Sequence, residues 1–171
     1  MMAKIIILDT SYLLELFAVP MDSTEEKSLE AMRIFEQAIT AGYDIFCPLS
    51  VLYEVANHIV DIKNHVLQRE VAQKFRAMVE GAFLENNPFS IIPNGSSRPI
   101  HEELSSLPDL CRQYQDNIRM GLGLTDCTII DVAKTLKENY ASRKKQWPTH
   151  IWTSHVALRA MSPDEFQHQY F

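Results

Sequence analysis

Hydrophobic positions in this chain form two patterns, short unbroken runs and longer spaced arrays, and the two alternate. Ile5-Ile6-Ile7-Leu8 is continuous, apolar and mostly β-branched, which fits a strand buried on both faces. Tyr43 to Cys47, Phe89 to Ile92 and Ile151-Trp152-Thr153 are further short strand candidates. Helical arrays lie between them. A short one carries Leu13, Leu14, Leu16 and Phe17. A second starts at Asp22-Ser23-Thr24-Glu25-Glu26, carries Leu29, Met32, Ile34, Phe35, Ala38 and Ile39, and stops at Gly42. Ser50 is a candidate cap for a helix bearing Val51, Leu52, Val55, Ile59 and Ile62. A long helix is expected from about Asn64 to Leu84, and another from Pro99 to about Ile118 with an interruption near Pro108. Pro93-Asn94-Gly95-Ser96-Ser97 is the clearest loop. Thr125 or Asp126 opens a helix with Ile129, Ile130, Ala133 and Leu136 on its inner side, and a loop follows over Ser142 to Thr149. Ser162-Pro163-Asp164-Glu165 has the Ser, Pro, Glu signature of a helix start. This alternation predicts one α/β domain, residues 1–171, built as a sandwich around a mostly parallel sheet.

Composition narrows the partners. At 171 residues and 46% hydrophobic content the chain can bury a sizeable core. Sixteen basic against 22 acidic side chains leave a formal charge of −6. A nucleic-acid partner must therefore be held by a local patch or by bound cations. Neither of the common Gly-rich phosphate loops is present. Cys47, Cys111 and Cys127 are widely spaced and odd in number, which argues for reduced thiols and a cytoplasmic location. No apolar run approaches the roughly 18 residues of a membrane span, and the first run is too short for a signal peptide. A soluble intracellular protein is expected.

Three acids stand out by position. Asp9 directly follows the first strand, Glu54 lies one turn into the helix after the second, and Asp126 sits at the start of a later helix. Each has an ordinary explanation: a helix cap for Asp9, a solvated helical side chain for Glu54, a favourable dipole contact for Asp126. Together they converge on the carboxyl edge of a parallel sheet, where such folds bind ligands. Carboxylates sharing a site repel one another, and a hard cation such as Mg²⁺ or Mn²⁺ is the natural remedy. Such ions activate water and neutralise a phosphodiester.

Several stretches resemble the PIN domain, a fold of metal-dependent nucleases that includes VapC-type toxins. They are Ile5-Ile6-Ile7-Leu8-Asp9-Thr10-Ser11-Tyr12-Leu13-Leu14, Pro48-Leu49-Ser50-Val51-Leu52-Tyr53-Glu54-Val55, Leu124-Thr125-Asp126-Cys127-Thr128-Ile129-Ile130-Asp131-Val132-Ala133 and Ile151-Trp152-Thr153-Ser154-His155. The resemblance implies a three-layer α/β/α sandwich and an Mg²⁺- or Mn²⁺-dependent ribonuclease. Its acids fall on Asp9, Glu54 and Asp126, its hydroxyl beside the first acid on Thr10 or Ser11, and its strand-end hydroxyl on Thr153. Expected partners are RNA, an antitoxin protein and further copies of the chain. One departure matters: many members carry a fourth acid where this chain has His155, which could hold a metal or its water, or mark a weakened nuclease. The alternative reading is a PIN-like scaffold that binds RNA or protein without cutting. A haloacid-dehalogenase-like phosphohydrolase is disfavoured because Ser11 stands where a second Asp would be required.

Weaker signals remain. Asp131 lies about 140° around the helix from Asp126, so solvent exposure is expected. Arg143-Lys144-Lys145 reads first as a solvated loop, although it and Arg159 could meet RNA phosphates. Val71, Phe75, Met78, Val79 and Phe83 are assigned to the core in preference to a self-association face. His58, His65 and His101 show no metal-ligand spacing, and Cys127 reads as a buried filler.

Overall fold

Strand β1 (Ile5–Leu8) is wholly inaccessible to solvent, each of its residues being 0% exposed. The computed structural model, which describes residues 3–95, 98–139 and 147–171, shows why. The sheet order is β3-β2-β1-β4 and every pairing is parallel. Strand β2 spans Asp44–Pro48, β3 Ser90–Ile92 and β4 Thr149–Trp152. Register aligns Ile7 with Phe46 and Leu8 with Trp152, so β1 is covered by strands on both edges.

The chain runs outward first, from β1 through α1 (Thr10–Leu16) and α2 (Glu25–Thr40) to β2. It continues through α3 (Leu49–Val60) and α4 (His65–Glu85) to β3. It then returns across the sheet through α5 (Ile100–Asn117), a 3-10 turn (Ile118–Met120) and α6 (Leu124–Asn139) to β4, which leads into α7 (Val156–Arg159). Parallel crossovers are right-handed, so outward and returning helices belong on opposite faces. The packing agrees: α1 touches α2 and α3, α3 touches α4, and α6 lies on β1, β2 and β4 while carrying α5. The architecture is α/β with an open four-stranded parallel sheet, compatible with three layers. Strand order reverses between β1 and β4, which opens a crevice at their carboxyl ends. No helix among the described residues is long and apolar enough to cross a membrane.

Several expectations need correction. Pro48, not a side chain, precedes α3, and the Ser50 hydroxyl is buried without a partner, so it caps nothing. Helix α2 is capped by Thr24 and buries Ser28, Ala31, Ile34, Phe35 and Ala38. Leu29, Met32 and Ile39 are exposed, because α2 contacts its neighbour along one narrow stripe. Helix α5 passes through Pro108 without a break. Leu104 and Pro108 both face solvent, so the carbonyl that loses its N–H partner remains open to water. In α4, Val71 is buried and Phe75, Met78 and Val79 pack on the core, but Phe83 is 78% exposed.

Residues 162–165 form no helix. Their capping groups serve the open edge of β4 instead. The Ile151 N–H donates to Ser162 Oγ at 3.0 Å, the Thr149 N–H donates to Asp164 Oδ2 at 2.7 Å, and the Asp164 N–H donates to the Thr149 carbonyl at 3.0 Å. An edge strand with unpaired amides invites foreign strands, and this tail closes it. Beyond it Phe171 is buried against Tyr12, with ring centroids 5.0 Å apart.

Asp164 also receives Lys137 Nζ at 2.7 Å. Burial pushes its carboxyl up, but the Lys137 and Thr149 donors outweigh that and hold it below the ordinary value. A lowered folded pKa means stability that is present at neutral pH and lost as pH falls through the folded value. Asp164→Ala is expected to cost about 1–3 kcal/mol at pH 7. Urea denaturation of the two proteins should show the gap narrowing as pH falls below the ordinary carboxylate range.

Candidate functional site

Asp9 stands at the crevice between β1 and β4, in extended conformation as the N-cap of α1, and is 4% exposed. An isolated buried carboxylate is prohibitively costly, so it must be held. Its Oδ2 accepts from the Ser11 N–H at 3.2 Å, the Ser11 hydroxyl at 2.6 Å and the Thr153 hydroxyl at 2.7 Å. Thr153 lies just past the end of β4 rather than within it. Its Oγ1 also accepts the His155 N–H at 2.9 Å, and Ser11 Oγ accepts the Ser154 N–H at 3.0 Å. These hydroxyls tie the ends of β1 and β4 together.

Glu54 is reached differently. Helix α3 begins where β2 ends, and helical side chains lean toward their own N-terminus. Glu54 therefore reaches back to α1, where its Oε2 accepts from the Thr10 hydroxyl at 2.7 Å. Asp126 is in the first turn of α6, and its Oδ2 accepts the Gly123 N–H at 2.7 Å. The Gly123 carbonyl in turn accepts the Cys127 N–H. This is the carboxylate half of a capping box.

Electrostatics link the three acids. Burial pushes the Asp126 carboxyl up, and the Asp9 and Glu54 charges push it further. The Gly123 N–H and His155 pull the other way without cancelling the rise. His155 Nδ1 lies 3.8 Å from Asp126 Oδ2, too long for a hydrogen bond but close enough for charge attraction when the ring is protonated. The other side of that ring faces Gly121, which ends the 3-10 turn in left-handed conformation at φ +75°. All seven residues singled out in the sequence, Asp9, Thr10, Ser11, Glu54, Asp126, Thr153 and His155, thus come to one sheet edge.

Each acid has one oxygen tied by hydrogen bonds and a second with no hydrogen-bond partner among the described residues. Oriented carboxylates with free hard oxygens suit Mg²⁺ or Mn²⁺. As the side chains stand, no three His, Cys, Asp or Glu among the described residues are arranged to hold one ion. The donor chemistry fits a divalent cation; a closed cage is not formed.

Other candidates have structural work. Asp131 is not freely exposed: it pairs with buried Arg98, Nη2 to Oδ2 at 2.6 Å, and Glu103 meets the same guanidinium. Arg159 does not offer its charge to a substrate. Its guanidinium donates to the carbonyls of Thr153 at 3.2 Å, Tyr170 at 2.6 Å and His168 at 3.4 Å, fixing the tail beneath the site. His58 pairs with Asp22, and Cys127 is a buried filler. Residues 143–145 lie outside the described residues. Sequence reasoning missed three positioning groups: Gly123, Arg159 in its actual role, and buried Glu15, which accepts from the Thr24 N–H and Ser28 hydroxyl at the start of α2. Glu15 gives no signal inside its apolar run; the turn Gly121-Leu122-Gly123 could have drawn attention to the backbone holding Asp126. A groove of about 870 Å³ lies elsewhere, between α3 and α4, lined by Ile59, Val60, His65, Val66 and Arg69 among others. It gathers no cluster of acids.

No family model, curated protein or solved structure matches this chain.

A raised folded pKa for an acid means stability lost as pH rises through that value, so ionised Asp126 weakens the fold at pH 7. Asp126→Asn keeps an acceptor for the Gly123 N–H and removes the repulsion. In metal-free buffer its Tm should exceed that of the native chain. Thr153→Val removes the donor to Asp9 and the acceptor for His155, and should cost about 1–3 kcal/mol. Thermal unfolding of both variants measures the opposite signs.

Proposed function

We propose that the chain is an Mg²⁺- or Mn²⁺-dependent ribonuclease with a PIN-like three-layer sandwich, acting in the cytoplasm as the toxin of a toxin–antitoxin pair. The observation that carries this reading is the trio of carboxylates at the β1/β4 crevice, each oriented through one oxygen. Three like charges would repel an anionic phosphodiester, so RNA approaches only where cations offset them. Asp9, Glu54 and Asp126 would hold the cation. When bound, it neutralises the phosphodiester charge and makes a water more acidic.

The chain's own contribution is orientation. Ser11 and Thr153 fix the Asp9 carboxylate, Thr10 fixes Glu54, and the Gly123 N–H fixes Asp126. Hydrolysis adds water to phosphorus and breaks one phosphorus–oxygen ester bond. His155 borders Asp126 where a fourth acid is expected from the resemblance. That substitution, with the absence of a closed three-ligand set among the described residues, favours the second reading: a PIN-like scaffold that binds RNA or an antitoxin protein without cleavage.

Cleavage of a mixed RNA pool in Mn²⁺ separates the two. The native chain should cut, EDTA should stop it, and Asp9→Asn and Asp126→Asn should each lose at least about a hundredfold in rate with folding intact. Mn²⁺ should also raise the Tm of the native chain and not that of Asp9→Asn. Equal rates in all three proteins would assign the cleavage to another source. RNA binding without cleavage would establish the scaffold.

A further inference from the structure

Lys4 precedes β1, at the opposite end of that strand from Asp9, and lines a cleft of about 630 Å³. That volume is typical of small-ligand sites. Helix α2 lines the cleft with Arg33, Ile34 and Gln37, while Tyr43 enters from the residue before β2, Trp152 from β4 and Phe166 from the tail. Its aromatic surface is already set in place. The Trp152 and Phe166 rings lie 5.6 Å apart, and Phe166 packs in turn on His150 at 5.2 Å. Asp164 and Arg159 hold the tail on either side of Phe166.

Lys4 is the unusual group in this lining. It is half-buried, and its Nζ lies 5.7 Å from the centroids of both the Tyr43 and the Phe166 rings. No carboxylate pairs with it among the described residues. By contrast, Lys137 pairs with Asp164, and Glu30 holds Arg33 through Nε and Nη2. Ring faces attract an ammonium but do not neutralise it. Glu36 also borders the cleft, yet it is exposed and makes no ion pair with Lys4. Trp152 is 2% exposed, and its indole N–H has no hydrogen-bond partner. Buried polar groups in folded proteins nearly always find one. An unpaired cation and an unused donor thus stand among three rings.

We infer that the cleft binds a small planar aromatic molecule that carries a carboxylate. Its ring packs against those of Trp152, Phe166 and Tyr43, edge-to-face or offset. Its carboxylate pairs with the Lys4 ammonium, a charge-assisted contact in a half-buried setting. An aliphatic acid would meet the charge and forgo the ring packing. A neutral ring would leave the ammonium unpaired, and an aromatic cation would be repelled by it. The formal charge of −6 disfavours anions over most of this chain, so an anionic ligand belongs where a cation stands unpaired. This inference does not depend on the nuclease reading, because none of the three crevice acids lines the cleft.

Naphthoate, two fused rings with one carboxylate, is the probe. The chain has two tryptophans, so in Trp147→Phe the remaining indole N–H resonance is that of Trp152. Naphthoate at up to about 5 mM should shift that resonance saturably. In calorimetry of the native chain, naphthylmethanol and cyclohexanecarboxylate should each bind at least about tenfold more weakly than naphthoate. Lys4→Met should weaken naphthoate by about tenfold, and Lys4→Arg should stay within about threefold of the native chain. Glu36→Gln should tighten it, with unchanged far-ultraviolet dichroism showing each fold intact. A Trp152 resonance that does not move would overturn the site. Equal affinity for naphthylmethanol, or an unchanged affinity in Lys4→Met, would overturn the pairing with Lys4. Tighter binding of naphthylmethylammonium than of naphthoate would overturn the anion and give the cleft to a cation.

Discussion

The ends of β1 and β4 are held together by one buried carboxylate. Asp9 continues the ladder, its N–H donating to the Trp152 carbonyl at 3.2 Å, and its side chain then leaves the strand at the point where the sheet order reverses. A carboxylate buried to this degree survives only with donors around it. Those donors come from Ser11 on one side and Thr153 on the other. The requirement to satisfy Asp9 therefore fixes the end of β4 relative to α1. The dependence extends further, because the carbonyl of the same Thr153 accepts from Arg159, which also grips the tail at His168 and Tyr170. Charge satisfaction at one residue and closure of the sheet edge are parts of one network.

Capping and chemistry do not compete at these acids. Asp9 does cap α1, and Asp126 does occupy the carboxylate position of a capping box, as a purely structural reading requires. Each of those duties consumes one oxygen. The second oxygen has no partner among the described residues, and the fold bears the repulsion this creates at Asp126. A helix cap alone would not require three acids to face one another. Gathering like charges without a partner costs stability, and natural proteins tolerate that cost mainly where the site is used.

Much of the architecture was legible because its signals are local. The Ile5–Leu8 run and the long helix expected from about Asn64 to Leu84 each report their own surroundings. The approach to the site was legible too, since a strand followed at once by an acid has few geometries open to it. What escaped was set by distant partners. Ser162 and Asp164 have the chemistry of a helix cap, but the free amides of β4 claimed it, and nothing near residue 162 announces that edge. Arg159 looked available for phosphate until the tail folded back onto it. Asp131 looked exposed because its partner, Arg98, is 33 residues away on another connection. Leu29 and Phe83 match an apolar period, but period alone does not say how wide a stripe the neighbour covers.

One topological fact accounts for the crevice. Because the chain completes β3 before returning to β4, a single long connection must cross the whole sheet. Helix α6 takes the layer against β1, β2 and β4 and so delivers Asp126 to the point of reversal. Helix α5 lies outside it and packs mainly on α6, with Leu110 as its buried residue.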